Sequence, residues 1–144
     1  MERNKKFLKL TSYAILLLAI LSLLNVVAAL FSDELNSVPI PADAPENTLL
    51  IAKIVIIVIS LLILLPQIYV GLKGVSFAKK PDSSRAHIVW AKILFVLAVL
   101  AMISPIIEAC KGNAILTNCL DALSSLAEVI LFFDYIKFAK ALQK

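Results

Sequence analysis

The sequence contains few of the residues from which catalytic and metal sites are usually built. It has three glycines, two cysteines and one histidine, His87. Three scattered glycines leave little for a phosphate-binding loop, and one histidine cannot build a multi-histidine metal site. No HExxH, Walker A, GxGxxG or GxSxG motif occurs. We therefore expect no catalytic residues, no metal site and no cofactor, and we expect His87 to be an interfacial side chain.

The chain also lacks a polar stretch long enough to fold as a soluble domain. Apolar residues make up 61% of it, against about 45–50% in ordinary soluble domains. They form four runs, over residues 13–31, 49–72, 88–107 and 115–133. Each run is close to the roughly 20 residues that a helix needs to cross a bilayer. Strands of a membrane barrel are about half as long and alternate, so the runs indicate helices.

These runs predict an all-α fold, an integral membrane four-helix bundle of up-down-up-down topology in one domain over residues 1–144. We expect its helices at about residues 7–31, 48–72, 86–107 and 114–138. A signal peptide is the alternative for the first run. This run is 19 residues long and exceeds the 7–15 residues of a typical signal-peptide core, which favours a membrane span.

The charged residues predict an orientation. The net charge of +4 comes from short basic clusters between apolar runs, which indicates a membrane surface and no nucleic-acid partner. Eleven of the 14 basic residues fall before the first run, between the second and third, or after the fourth, and a twelfth, Lys92, lies just inside the third run on the same side. Basic residues mark the cytoplasmic side, so we expect a multi-pass plasma membrane protein with both termini cytoplasmic. Four aromatic residues that favour interfaces fall near the same side: Tyr13, Tyr69, Trp90 and Tyr135.

Two loops carry local signals. The acidic outer loop, residues 32–48, contains three prolines, which favour an extended path over the surface. The basic inner loop contains Pro81 followed by three capping residues. We expect Asp82, Ser83 or Ser84 to cap the third helix.

Polar residues inside the apolar runs are costly in a membrane, so their spacing is informative. Two sets recur every seven residues: Lys53, Ser60 and Gln67 on the second helix, and Asp121, Glu128 and Tyr135 on the fourth. Thr117 and Ser124 fill intermediate positions on the same face of the fourth helix. Because the two helices run in the same direction, we predict a polar seam between them. In this seam Lys53 faces Asp121, Ser60 faces Glu128, and Gln67 faces Tyr135.

Glu128 is the member of the seam that lies deepest. It is roughly 20 Å below the outer end of its run by helical rise, whereas Lys53 is shallow enough to snorkel to the surface instead of pairing. We expect the Glu128 carboxyl to be protonated, paired, or hydrogen-bonded to Ser60 or Ser124. Two interpretations of Glu128 are open: a structural carboxyl whose hydrogen bonds are satisfied, or a group that handles protons or cations. Pro66 removes a backbone hydrogen bond and should kink the second helix near Gln67.

The two cysteines fall at the outer end of the hairpin between the third and fourth helices. Disulfides persist on an oxidising side, and a bridge between Cys110 and Cys119 would stabilise this short loop by roughly 2–3 kcal/mol. The alternative is two buried thiols that act as small apolar residues. The eight residues between them do not match the CxxC spacing of redox and zinc sites.

Short resemblances to transporters exist. Pro66-Gln67 resembles the Pro-Gln signature of PQ-loop transporters such as the SWEET-type sugar carriers, over these two residues only. Small multidrug-resistance pumps are also four-helix proteins with one membrane glutamate, but they are shorter and place it in the first helix. Neither resemblance implies a function here.

Two functions follow from these patterns. The first is a small non-enzymatic membrane protein that acts by helix–helix association, as a subunit, immunity protein or assembly factor. The second is a small oligomeric channel or a proton- or cation-linked carrier that uses the polar seam. The expected partners are the lipid bilayer and either a second copy of the chain or another membrane protein.

Overall fold

The computed structural model describes residues 1–31, 47–82, 84–112 and 115–143. They form four α-helices: α1 (Glu2–Phe31), α2 (Thr48–Lys79), α3 (Ala86–Cys110) and α4 (Ile115–Leu142). Each helix is long and apolar enough to cross a membrane, which confirms the predicted all-helical fold of four such helices. The expectation for the proline-containing loop concerns residues 32–46, which lie outside the described residues.

The helices are longer than the apolar runs predict. α2 continues through Pro66 and ends at Lys79, and α4 ends at Leu142. The added turns are rich in lysine, but they also carry buried apolar residues, namely Phe77, Ala78, Ala139 and Leu142. Tertiary packing stabilises helices beyond the length that hydropathy alone indicates. The extra turns are therefore part of the core of the bundle.

The connection between α2 and α3 differs from the predicted cap. α3 begins with Arg85 as its N-cap and has no side-chain cap hydrogen bond. Asp82 instead accepts hydrogen bonds from the Lys73 ammonium at 3.0 Å and from the backbone N–H of Ser84 at 2.8 Å. The prediction of a cap at Asp82 or Ser84 is wrong because the Asp82 carboxylate is held by α2 and by its own loop. Ser83 lies outside the described residues.

Ring contacts show how the helices are aligned. The Phe7 and Phe138 rings stack at 5.2 Å and so join the start of α1 to the end of α4. Phe77 lies 4.6 Å from His87 and joins the end of α2 to the start of α3. These four helix termini meet at one end of the bundle, called here the basic end. Neighbours along the chain pack side by side, α1 also packs on α4, and α2 and α4 meet only across a diagonal.

Burial is confined to the half of the bundle next to the basic end. All buried residues of the described chain lie in segments 8–19, 64–78, 87–98 and 132–142, which we call the packed half. No described residue is buried in segments 20–28, 48–63, 99–110 and 115–131, which we call the open half. Each helix therefore has its fully buried residues in only about half of its length.

Candidate functional site

The inner end of the predicted seam forms with a different hydrogen-bond partner. The Tyr135 hydroxyl donates to the backbone carbonyl of Val70 at 3.0 Å. Gln67, the predicted partner, is buried one helical turn away on α2. Tyr135 is itself fully buried, whereas Tyr13 and Trp90 are exposed. Tyr135 is therefore a core residue that ties α4 to α2, and its assignment as an interfacial aromatic is wrong.

Two glycines of α2 allow this close approach. A Cβ at Gly74 would collide with the Ser12 hydroxyl of α1 and with the Tyr135 ring of α4. A Cβ at Gly71 would lie 2.6 Å from Cγ of Leu16 on α1. Small residues let helix backbones approach closely in membrane bundles. Gly74 therefore marks the point where α1, α2 and α4 meet.

His87 is buried in the packed half, where it contacts Phe77 and Tyr135. Its ring centroid lies 4.6 Å from that of Phe77 and 6.1 Å from that of Tyr135. Neither ring nitrogen has a hydrogen-bond partner within the described residues. The expectation of an interfacial histidine is wrong, because Phe77 from the added turns of α2 and Tyr135 of α4 pack against the first turn of α3. The basic neighbours of His87 in the sequence gave no signal of this burial.

Glu128 lies at the boundary between the packed and open halves. Its half-buried side chain lines a cavity of about 200 Å³, called cavity A, together with Ser22, Ser60 and Gln67 and three apolar residues. A second cavity of about 180 Å³, cavity B, shares Ile63, Gln67 and Glu128 with cavity A. The remainder of its lining is apolar: Leu94, Leu97, Ala98, Ala101 and Phe132. The carboxyl group thus lies against one mixed cavity and one apolar cavity.

The structure brings together three of the predicted seam residues, Ser60, Gln67 and Glu128. No hydrogen bond joins Glu128 to Ser60 or Ser124 within the described residues, and Ser124 is exposed. Ser22 of α1 completes the polar lining of cavity A and was missed by the sequence analysis. It interrupts the first apolar run, which is the signal that identifies it.

The pairing predicted for the outer end of the seam, Lys53 with Asp121, stays a prediction. Lys53 is half-buried on α2 and Asp121 is exposed on α4. The two helices meet across the diagonal of the bundle.

Both cysteines are free and exposed, so neither the predicted bridge nor the alternative of two buried thiols is correct. Cys110 is the last residue of α3, and Cys119 lies four residues inside α4. That offset corresponds to about 6 Å along the axis of α4. Each thiol therefore lies on the outer surface of its own helix in the open half.

No family model, no curated protein and no solved structure matches this chain. Within the described part of the chain, no group of three or more His, Cys, Asp or Glu side chains is placed to hold a metal ion. The chemistry available around Glu128 is that of one carboxyl, two hydroxyls and one amide. Such a set can bind a hydrogen-bond donor or a cation.

Proposed function

We propose that this chain is a non-enzymatic integral membrane protein that acts by helix–helix association with membrane partners, as a subunit, immunity protein or assembly factor. One observation carries the proposal. Thr117, Asp121 and Ser124 are all exposed on α4 in the open half. Their spacing of four and three residues places them on one face of the helix, and we call this row the polar stripe.

The polar stripe is costly if it faces lipid. Exposed leucine and isoleucine side chains are compatible with lipid tails, but a carboxylate that faces lipid is costly, by about 2.5–3.5 kcal/mol at the centre of a span on insertion scales. Small hydroxylated residues allow a second helix to approach closely and to form hydrogen bonds across the interface. A docked partner helix would remove Asp121 from lipid and supply its missing contacts.

Site-specific photo-crosslinking in native membranes tests this proposal. A crosslinking amino acid at position 117, 121 or 124 should give an adduct with a second membrane protein or a second copy of the chain. The same probe at Leu100, an exposed apolar residue of α3 in the open half, is the matched control and should give much less of that adduct. Equal yields from both faces would contradict the proposal.

We further propose that the chain lies in the plasma membrane with its basic end in the cytoplasm. The support is the concentration of lysine and arginine at this end and the acidic composition of residues 32–46. Reporters fused to the N-terminus, to residues 73–86 or to the C-terminus should score cytoplasmic. A reporter in the loop between α1 and α2 should score external, and an external C-terminus would refute the orientation.

A specific observation favours a second candidate function, a small oligomeric channel or a proton- or cation-linked carrier. Glu128 lies between two cavities, and intramembrane carboxyls that face cavities commonly mark ion and substrate pathways. Glu128→Gln keeps the shape of the side chain and abolishes proton exchange. A carrier should lose pH-dependent flux in proteoliposomes on this change, whereas an association module should retain partner binding.

A further inference from the structure

We propose that cavities A and B together form a binding site for a small primary ammonium ion that carries a short apolar chain. The proposal goes beyond both candidate functions, because binding can be measured without a partner and without flux. It depends on the placement of Glu128, which lines both cavities, and on the different chemistry of the two linings.

The polar side of the site matches an ammonium group. Glu128 supplies a carboxylate, Ser22 and Ser60 supply hydroxyl oxygens, and Gln67 supplies an amide oxygen. A primary ammonium has three N–H donors and one positive charge, so it can donate to the carboxylate and to two of the neutral oxygens. Charge-assisted hydrogen bonds of this kind are about twice as strong as neutral ones. A quaternary ammonium has no N–H donor and would leave these acceptors without partners.

The number of oxygen ligands disfavours a divalent metal ion. Calcium takes six to eight oxygens and magnesium requires near-octahedral geometry. Cavity A offers a single carboxylate and three neutral polar side chains. One negative charge is balanced by one monovalent cation, which favours an amine over a divalent ion.

The apolar side of the site determines the chemical character and the length of the rest of the ligand. Cavity B presents Leu94, Leu97 and Phe132 beside the shared carboxyl of Glu128. An alkyl chain attached to the ammonium group would leave water and contact these residues, and each buried CH₂ would strengthen binding. Cavity B, which would hold the alkyl chain, measures about 180 Å³, whereas pockets for drug-sized ligands measure roughly 300–1,000 Å³. The site therefore suits a chain of a few carbons.

Titration calorimetry with n-butylammonium tests the site, using the full chain in phosphatidylcholine nanodiscs. The wild-type protein should bind saturably, and Glu128→Gln should weaken binding by about tenfold or more, as expected for loss of a charge-assisted contact. Asp134→Asn is the matched control, because it removes a carboxylate from the same helix six residues away, outside both cavity linings. Its affinity should stay within about twofold of wild type. n-Butanol, which has the chain without the charge, should show no saturable binding.

A second variant keeps Glu128 intact and tests the apolar half of the site. Ala101→Phe adds a ring to the lining of cavity B at an exposed position that can accept it. This substitution should weaken the binding of n-butylammonium more than the binding of methylammonium, because only the butyl chain reaches cavity B. Circular dichroism checks that each variant is folded. If Glu128→Gln does not fold, the effect of Ala101→Phe on the binding of the two amines tests the proposal. Absence of saturable binding by wild type, equal binding by Glu128→Gln, or equal effects of Ala101→Phe on both amines would overturn the proposal.

Discussion

In the packed half, glycine, alanine and serine recur where helices approach one another, as at Ser12, Gly71, Gly74 and Ala91. In the open half of α2, leucine, isoleucine and valine occupy nearly every position between 48 and 63, with no glycine. Both segments are apolar, so hydropathy does not distinguish them. Bulky side chains are compatible with lipid tails, whereas close helix contact requires small residues. Within α2, residue size distinguishes the packed part from the open part better than hydropathy does.

The largest expected difference between the two halves comes from removing one large side chain from each. Phe77 is 1% exposed. Phe77→Ala should lower the free energy of unfolding by about 3–5 kcal/mol, because truncation of the ring leaves a cavity. Ile59 lies on the same helix and is 52% exposed. Ile59→Ala should lower the free energy of unfolding far less. Unfolding in mixed micelles, followed by circular dichroism, measures both. Similar losses would show that the open half is packed as tightly as the other.

Adding a methyl group should have the next largest effect. Gly74→Ala should destabilise the protein by about 1–3 kcal/mol, because the new Cβ meets Ser12 and Tyr135. The control Ala52→Val enlarges an exposed residue of the same helix in the open half and should stay within about 0.5 kcal/mol. The same unfolding measurement applies to both.

A double variant sharpens this test. Ser12→Ala removes the hydroxyl that lies nearest to the new Cβ, so it should restore part of the stability lost in Gly74→Ala. Strictly additive losses would contradict the close approach of α1 and α2 at this point.

A smaller effect is expected from the hydrogen bond that joins α4 to α2. Tyr135→Phe removes the hydroxyl that donates to Val70, and hydrogen bonds between membrane helices average about 0.6 kcal/mol. Tyr69→Phe, at an exposed tyrosine of α2, should change stability by less. If Tyr69→Phe proved the more damaging of the two, the placement of Tyr135 in the core would be wrong.

The smallest effect concerns the exposed ion pair at the basic end. The hydrogen bond from Lys73 holds the pKa of Asp82 below its ordinary value of 3.8. A carboxyl whose pKa is lower in the folded state stabilises the fold above its unfolded pKa, and this contribution is lost as the pH falls through the folded pKa. Asp82→Asn should therefore lower the melting temperature slightly at neutral pH. The difference from wild type should shrink below about pH 4, and a difference that persists at lower pH would exclude the Lys73 pair as its cause.

Part of the candidate site could be predicted from the sequence. A spacing of seven residues keeps side chains on one helix face. This spacing predicts that Ser60, Gln67 and Glu128 lie close together, and all three line cavity A. The pairing of Lys53 with Asp121 that the same reasoning gives stays a prediction. Periodicity fixes the face within a helix, but it does not fix how far two helices remain in contact along their length.

The sequence alone determined that the chain forms four long apolar helices, because the length and continuity of its apolar runs leave few other ways to satisfy the backbone in lipid. Only the tertiary structure decided which half of the bundle packs, that Tyr135 bonds to Val70, and that His87 is buried. Each of these depends on contacts between residues far apart in the chain. Such contacts follow from side-chain volumes where helices meet, which no local pattern of hydropathy or charge encodes.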